Sequence, residues 1–465
     1  MYTYRNLGKV LVVALIVLTL TLSMTAPSAA AETFQDVETV AYGTFNGVAY
    51  VKHTGTFVGT ASGGSYAAPF EIIVPLNRDQ GNRRILVEPY HPNGAAVIRD
   101  FALSPEFLFE RGFGYAAVCF SVPWPSAPDT HPCQGFSGAS RDGAEILAAF
   151  ARALRADPLA PDLVGGVQKL YASGHSDASG PLHELLYSPL GRALFDLSIP
   201  VGVPWRGGTH QLPDPDAGRV MVLLAEADIL NMNGAALRGT AVNYRSYEVA
   251  GAPHVIGVPD TTPLSWAPVM RALFIAGDRW ATEVGEPPYS IVLADDATAI
   301  DGIARDENGN ALGGIRLPDV QVGRGRFIAV NLSLPAATFG YSNDDFPKGI
   351  PLFGAFEDLK CVPRADGSAR FPDHETYVQR FAEQAQQLVS QGYLLQADAD
   401  HIIAEAKASD VGMPEACVAS LASEMLPETG RQARAECQAE MTILMGLVSI
   451  AVGIACQRRV KGTRT

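Results

Sequence analysis

Cysteine is scarce in this chain of 465 residues, and no two cysteines form a C-x-x-C pair. The spacing typical of structural zinc sites and dithiol redox sites is therefore missing, and we expect no metal and no cofactor. The segment Asp306–Asn310 begins like a calcium loop, but Ala311 stands where that loop needs glycine, so a plain β-turn is predicted. The six cysteines are Cys119, Cys133, Cys361, Cys417, Cys437 and Cys456.

Positive charge is also in short supply. The chain has 35 Lys and Arg against 49 Asp and Glu, which gives a formal net charge of -14 and a pI near 5.1. Nucleic-acid binding needs a clustered basic face, and the only basic cluster lies in the last few residues, so we expect no nucleic-acid partner. The hydrophobic share of 47%, with Gly and Pro scattered, predicts a large globular α/β protein with a substantial core.

Long apolar runs occur only at the two ends of the sequence. At the N-terminus, Arg5 and Lys9 precede the apolar run Val10–Met24, and small residues follow up to Ala31. This is the layout of a secretory signal, so we predict that residues 1–31 are removed and that the protein is exported to the periplasm, the cell surface or the medium. An uncleaved N-terminal anchor is the alternative, although the run is short for a membrane span.

The second apolar run, Met441–Cys456, is followed by four basic residues, Arg458, Arg459, Lys461 and Arg464. As a helix its ~16 residues would rise ~24 Å, against a hydrocarbon core of ~30 Å, a difference that snorkelling or local thinning can close. We predict a C-terminal membrane anchor or sorting signal here, with membrane contact through 441–456. A buried or dimerising helix is the alternative.

One or two disulfides are the predicted use of the cysteines, because an exported chain meets an oxidising compartment. Cys417 and Cys437 flank a short segment, and a bond between Cys119 and Cys133 would tie a strand end to the loop that follows it. Spacing alone leaves the pairing open.

Strand-like and helix-like segments alternate from Arg84 to Trp280, which predicts an α/β fold with a mostly parallel central sheet flanked by helices. Earlier in the chain, Thr39–Val58 and Pro69–Pro75 predict a hairpin-like antiparallel edge. Later, His374–Val389 and Ala399–Ala408 predict additional helices that would cap the mouth of a pocket. The predicted parallel strands include Arg84–Pro89, Gly114–Val122, Leu197–Val203, Gly218–Asp228 and Tyr244–Val249.

The stretch Val167–Gly180 has the pattern of a strand, a tight turn and a helix. Its apolar run stops at Gly174-His175-Ser176-Asp177-Ala178, and helical spacing of apolar residues resumes at Pro181. Small residues on both sides of a serine let the strand and the helix approach closely, which leaves the hydroxyl exposed above the sheet. We therefore predict a nucleophile elbow at Ser176, with an ordinary Gly-Ser loop as the alternative.

Ligands of an open parallel sheet bind at the carboxyl ends of its strands, and two suitable side chains follow predicted strands there. Asp228 and then His254 follow Ser176 along the chain, which is the order serine, acid, histidine. We predict Ser176 as the nucleophile, His254 as its base and Asp228 as the acid that orients the base, with Glu226 as the alternative acid. His210 is the rival base. Taken singly, the Asp would be a helix cap and the His a structural residue.

A serine nucleophile also needs backbone N–H groups that stabilise the developing oxyanion. The amide of Asp177, directly after the serine, is the first predicted donor. The second is predicted in the loop after Arg84–Pro89, where Pro92 has no N–H and His91, Asn93 or Gly94 remain.

These residues together resemble the α/β-hydrolase superfamily, and within it the large exported proteins described only as alpha/beta hydrolase domain proteins. The resemblance spans roughly Thr39–Ala408, with Asp177-Ala178-Ser179 where members usually have Gln-Ser-Gly after the serine. It implies the α/β-hydrolase fold and ester or related acyl hydrolysis. The matching residues are Gly174-His175-Ser176, Ala225–Asp228, Ala250–His254, Asp278-Arg279-Trp280, Pro287-Pro288 and Gly313–Asp319.

The sequence as a whole predicts an exported serine hydrolase that cleaves a small carboxylic ester or lactone through an acyl-enzyme. Two alternatives stay open: a catalytically inactive surface-binding protein with the same fold, and a peptidase or amidase, since amide and ester cleavage use the same groups. The predicted domains are a hydrolase domain at 32–409 with capping helices from about 370, a linker with two cysteines at 410–440, and the tail at 441–465. The oligomeric state is not determined by these patterns.

Overall fold

A computed structural model describes residues 32–94, 96–203, 213–333, 351–415 and 417. The predicted signal at 1–31 and the apolar tail at 441–465 lie outside these residues. The described residues divide into two compact units: one comprises those up to Glu357 together with Phe381–Ile403, and the other comprises Asp358–Arg380 and the described residues from Ala404 onward. The helices of the described ranges are all too short or too polar to cross a bilayer. The predicted domain boundaries stay predictions.

The larger unit is built on a nine-stranded sheet. Its strands are β1 (Thr33–Phe45), β2 (Val48–Ala61), β3 (Gly64–Pro75), β4 (Arg84–Pro89), β5 (Gly114–Val118), β6 (Lys169–His175), β7 (Leu197–Val201), β8 (Arg219–Ala225) and β9 (Tyr244–Val249). They lie in the order β1-β2-β3-β5-β4-β6-β7-β8-β9. The strands from β5 to β9 in this order pair in parallel, and β1, β2 and β3 form an antiparallel extension. The predicted mostly parallel sheet is confirmed.

The antiparallel extension differs from its prediction. Thr39–Val58 is two strands rather than one, because Asn46 and Gly47 form a tight turn with φ of 48° and 81° that joins β1 to β2. Positive φ at both central residues matches the twist of a two-residue hairpin, and Asn-Gly is the dipeptide that adopts it most readily. The outer strand β1 carries two register shifts, between Gln35 and Glu38 and between Ala41 and Gly43.

Nine α-helices are present in the described residues. They are α1 (Pro105–Phe109), α2 (Gly143–Ala156), α3 (Ala160–Val164), α4 (Ser179–Tyr187), α5 (Glu226–Asn231), α6 (Ala267–Ala281), α7 (Pro318–Gln321), α8 (His374–Gln391) and α9 (Gln396–Ala408). The two additional helices predicted near the C-terminus are present as α8 and α9. A small sheet pairs β10 (Gly325–Ile328) with β11 (Ala355–Asp358).

Three predicted strands end earlier than expected, and the predicted strand Leu197–Val203 is one of them, since it ends at Val201. The predicted strand Gly114–Val122 ends at Val118, after which the chain turns away into a loop. The predicted strand Gly218–Asp228 ends at Ala225, and α5 begins directly after it. Asp228 therefore lies in the first turn of a helix at the carboxyl edge of the sheet.

An irregular arm at residues 291–316 lies along the outer side of β9. Isolated parallel bridges join Tyr247 to Ile291 and Val249 to Ile315. Glu248, fully buried between these bridges, accepts hydrogen bonds from the Arg238 guanidinium at 2.7 Å and from a backbone N–H of the arm at 2.8 Å. The sheet therefore continues beyond its last regular strand.

The two disulfides test the predicted cysteine pairing. Cys119 is bonded to Cys133, as predicted. Cys417 is bonded to Cys361 and not to Cys437, so that prediction is wrong. Residues 358–380 and those after 404 share the smaller compact unit, which brings together two cysteines that are 56 positions apart in sequence. Cys437 and Cys456 lie outside the described residues.

Candidate active site

The predicted elbow is formed at the carboxyl end of β6. A single 3-10 turn at Ser176–Ala178 connects β6 directly to α4. Ser176 has a φ of 56°, the left-handed region that non-glycine residues rarely occupy. A Cβ atom at Gly174 would lie 2.5 Å from the carbonyl oxygen of Ala178, so only glycine permits this approach of strand and helix. Strained backbone of this kind persists where the surrounding structure enforces it.

Ser176, His254 and Asp228 are joined by a continuous chain of hydrogen bonds. Oγ of Ser176 lies 2.7 Å from Nε2 of His254, and Nδ1 of the same ring lies 2.6 Å from Oδ1 of Asp228. The second carboxylate oxygen of Asp228 accepts a hydrogen bond from the N–H of Ala225 at 2.7 Å. All three side chains are buried, with exposed fractions of 6%, 1% and 1% in the order serine, histidine, aspartate.

Glu226, the alternative acid, points to other partners. One of its carboxylate oxygens is 2.9 Å from the Arg305 guanidinium, and the other accepts the N–H of Gly251 at 2.6 Å. Burial raises the pKa of the Glu226 carboxyl, and the charge of Arg305 opposes that shift. Glu226 thus links the 291–316 arm to the turn that leads from β9 to His254.

Two ring N–H groups donate hydrogen bonds to the backbone carbonyl of His254. Its carbonyl oxygen is 2.9 Å from Nε2 of His175 and accepts a hydrogen bond from Nε1 of Trp266 at 3.4 Å. The His175 ring lies between the other two, with ring centroids 4.7 Å from His254 and 5.3 Å from Trp266. Burial, helped by the neighbouring histidines, holds the pKa of His175 well below the ordinary value of 6.5, so this imidazole is neutral at pH 7.

Gly202 lies close to the imidazole ring of His254. It follows β7 with a φ of 68°, and a Cβ atom there would lie 3.0 Å from Cε1 of His254 and 3.4 Å from Oδ1 of Asp228. The roles of His175, Trp266 and Gly202 were missed by sequence reasoning. None of the three carried a usable local signal, because Gly202 lies inside the predicted strand Leu197–Val203 and the other two act through tertiary contacts.

The loop after β4 borders the elbow. The ring of His91 lies 6.4 Å from that of His175, and burial lowers the pKa of His91 to about 3. The N–H of Asn93 donates to Nδ1 of His91 at 3.1 Å, and the N–H of Gly94 donates to the His91 carbonyl at 3.2 Å. Two of the three predicted second donors are therefore engaged within their own loop. His210, the rival base, lies outside the described residues.

The segment Asp306–Asn310 forms the predicted turn. The Asp306 carboxylate accepts the N–H groups of Asn308 and Asn310, and Arg316 forms an ion pair with the same carboxylate at 2.6 Å. Among the residues that the structure describes, no group of three or more His, Cys, Asp or Glu side chains could hold a metal ion.

Replacing Gly174 by alanine should destabilise the protein. The added methyl group would meet backbone atoms of Ala178 and Ser179, which cannot move without displacing the elbow. Overpacking of this kind typically costs about 1–3 kcal/mol of unfolding free energy. Urea unfolding of Gly174→Ala beside wild type measures the loss.

Gly285→Ala is the matched control, because a Cβ atom there would touch only the flexible end of Arg279 at 3.5 Å. Equal stability of the two alanine variants would contradict the tight approach at Gly174.

Stability should fall as the pH drops below about 6.5, in part because of His175. An imidazole whose folded-state pKa lies below its unfolded value binds protons only after unfolding, so its contribution is fully present above pH 6.5 and is lost below it. Each pH unit below the unfolded pKa costs at most about 1.4 kcal/mol of unfolding free energy for one such histidine. His175→Phe, which keeps a ring between His254 and Trp266, should therefore lose less stability than wild type between pH 6.5 and 5. Identical losses in urea titrations of both proteins would show that His175 is protonated in the folded state.

The solved structures that resemble this chain do so at low identity. The esterase LipA of Xanthomonas oryzae, described as rice cell wall degrading, is 15% identical, with 37% of this chain and 51% of LipA covered and a TM-score of 0.27. One of two fungal esterases of Rhizomucor miehei is 12% identical over 55% of this chain and 87% of its own, with a TM-score of 0.32. A bacterial brefeldin A esterase is 12% identical over 53% and 78%, with a TM-score of 0.27. The chain spans about half the length of LipA.

A family model gives the assignment that these distant structures do not. No curated protein matches the chain. The model described as "Alpha/beta hydrolase domain", in contrast, matches residues 38–404, most of the sequence. This range contains the whole nine-stranded sheet except the start of β1, and it includes Ser176, Asp228 and His254. The chain belongs to the alpha/beta hydrolase domain family.

Proposed function

We propose that this protein is a serine hydrolase that cleaves carboxylic esters or lactones, with Ser176 as nucleophile, His254 as general base and Asp228 as the acid that orients it. The observation that supports this proposal is the hydrogen-bond chain from Oγ of Ser176 through His254 to Asp228, with distances of 2.7 and 2.6 Å. Each residue also follows a different parallel strand at the edge where ligands bind.

The base must be in one tautomer for this chemistry. Asp228 can only accept at Nδ1 of His254, so the ring proton sits there and Nε2 is free to take the proton of the Ser176 hydroxyl. The N–H of Ala225 fixes the second oxygen of Asp228, so the carboxylate cannot rotate away from the imidazole. Its negative charge then stabilises the imidazolium that forms during attack.

The reaction proceeds in two half-reactions. Oγ of Ser176 bonds to the substrate carbonyl carbon while its proton moves to Nε2 of His254, and the carbonyl electron pair moves to the oxygen. Collapse of this tetrahedral species breaks the bond to the alcohol oxygen, which leaves with the proton from His254. Water then attacks the acyl carbon while its proton moves to Nε2 of His254. Collapse of this second tetrahedral species returns the proton to Oγ of Ser176 and releases the acid. In a lactone the leaving alcohol stays attached to the acyl group.

The oxyanion requires two donors beside Ser176. We assign the first to the amide of Asp177, which begins the helical segment after the nucleophile. We assign the second to the amide of His91, because the N–H groups of Asn93 and Gly94 are used inside the loop. Esters are the proposed substrates because an alkoxide needs less protonation to leave than an amine does.

We also propose that the protein is exported. The charged start, apolar run and small residues of 1–31 support this location, as do two disulfides, which persist in oxidising compartments.

A fluorophosphonate probe tests the nucleophile. The probe phosphonylates serines that an adjacent base activates, so wild type should be labelled and Ser176→Ala should not. The same variant should lose at least about 10⁴-fold in kcat toward a short-chain p-nitrophenyl ester. Gel fluorescence and mass spectrometry of the labelled peptide locate the site. Folded wild type that resists labelling would reject the proposed activity, and a peptide amide cleaved faster than the ester would reject the substrate class.

The two neighbouring carboxylates should differ sharply in their effect on catalysis. Asp228→Asn should lower kcat by about 10⁴-fold, because the amide cannot hold His254 in the required tautomer. Glu226→Gln should stay within about tenfold of wild type, since Glu226 bonds Arg305 and Gly251 rather than the base. Ester hydrolysis by the two purified variants decides the assignment, and the reverse ranking would make Glu226 the acid.

A further inference from the structure

The segment that follows β5, from Cys119 to Ser137, is held at both ends by backbone hydrogen bonds to β3. Cys119, next after β5, donates its N–H to the Pro69 carbonyl at 2.9 Å and is disulfide-bonded to Cys133. Further along, Ser137 and Ala67 exchange two backbone hydrogen bonds at 2.8 and 2.9 Å. Cys133, which lies in the short 3-10 turn Pro132–Gly135, therefore has a fixed position relative to the sheet.

His131, two residues before Cys133, is buried with an exposed fraction of 4%. Its Nδ1 lies 3.1 Å from the backbone N–H of Cys133, and its Nε2 lies 2.9 Å from the carbonyl oxygen of His91. A backbone N–H can only donate and a carbonyl can only accept, so the ring is the neutral tautomer with its proton on Nε2. The imidazole thus joins the backbone N–H of Cys133 to the carbonyl oxygen of His91 through two hydrogen bonds.

The peptide group that carries the His91 N–H has a hydrogen-bonded peptide group on each side. On one side, the N–H of Tyr90 donates to the Val118 carbonyl at 3.0 Å. On the other, the His91 carbonyl accepts from His131 and from Gly94, and Pro92 restricts the backbone of the residue before it. The N–H of Trp124 also donates to the Pro92 carbonyl at 2.9 Å. The His91 amide lies between two fixed peptide planes.

We propose that His131, anchored by the Cys119–Cys133 disulfide, is a positioning residue: it holds the His91 carbonyl, and so fixes the backbone of His91 with its N–H aimed at the oxyanion. This inference rests on the proposed function, because it gives a task to the second oxyanion donor. His131 touches neither the substrate nor the reacting atoms. Its effect passes through the His91 carbonyl.

The expected loss lies in kcat rather than KM. The oxyanion forms only in the transition state, so a misplaced donor weakens transition-state binding and leaves binding of the neutral ester nearly unchanged. Loss of a whole donor costs about 100–1000-fold, and displacement by 1 Å can cost about 100-fold. Without His131, kcat should fall about 10–100-fold, with KM within about twofold of wild type.

Three variants and one control separate positioning from a general loss of structure. His131→Phe keeps a ring and removes both hydrogen bonds, His131→Gln keeps a side-chain donor, and the pair Cys119→Ala with Cys133→Ala releases the anchor. Gln134→Ala is the control, because this exposed side chain of the same turn bonds only to the Pro128 carbonyl. Each full-length protein is assayed for p-nitrophenyl ester hydrolysis, thermal unfolding and inhibition by an aryl boronic acid, which forms a tetrahedral anion on the serine.

The expected pattern is a loss of kcat that tracks a loss of boronate affinity, in the order Gln134→Ala, His131→Gln, His131→Phe. The double cysteine variant should resemble His131→Phe. If His131→Phe does not fold, His131→Gln and the double cysteine variant decide the question by the same measurements.

Two outcomes would overturn the inference while the proposed function stands: wild-type kcat in the folded variants, or a raised KM with unchanged boronate affinity. Wild type that neither hydrolyses the ester nor reacts with a fluorophosphonate would instead reject the proposed function. The two failures are therefore distinguishable, because one is read from wild type and the other from the variants.

Discussion

The left-handed backbone of Ser176 is the constraint on which the rest of the site depends. A serine with a φ of 56° is held against its own preference, so the surrounding structure must supply the energy that keeps it there. That energy comes from the structure on either side of the serine. Before it, β6 lies inside the sheet between β4 and β7, and α4 begins three residues after it. The contact at Gly174 fixes the distance between them. The hydroxyl is consequently a rigid point to which the other groups are fitted.

The histidine partner reaches that point through a different kind of support. His254 lies in a loop, yet its carbonyl, its ring face and the turn before it are each held by groups from separate elements: His175, Gly202 and Glu226. Loops carry functional residues well only when a rigid scaffold positions them. Here the scaffold includes the arm after α6, because Arg305 in that arm pairs with the Glu226 carboxylate.

Sequence patterns predicted the central strands better than the antiparallel edge of the sheet. They also predicted the three candidate site residues better than the residues that hold them in place. The strands β4 and β9 have the predicted bounds, and in β4 the reason is a near-continuous apolar run, which marks a strand buried on both faces. The turn at Asn46 was hidden inside an alternating pattern that continues through it. Ser176, Asp228 and His254 were predicted from chain order and strand ends, and the structure brings their side chains together. The contacts of His131 and Trp266 depend on tertiary structure, as does the bond between Cys361 and Cys417, so no local pattern could reveal them.

The arm along β9 has a consequence for behaviour in solution as well. A long sheet ends in two strands whose outer backbone groups invite pairing with another chain, and such pairing starts aggregation. At one edge of the sheet, the arm already pairs with β9 through the bridges at Tyr247 and Val249. At the opposite edge, the two register shifts in β1 interrupt its regular pairing with β2. Truncation of the chain before Ile291 would therefore do more than shorten it. It would uncover a hydrogen-bonding edge of β9 and turn a covered strand into a template for intermolecular strands.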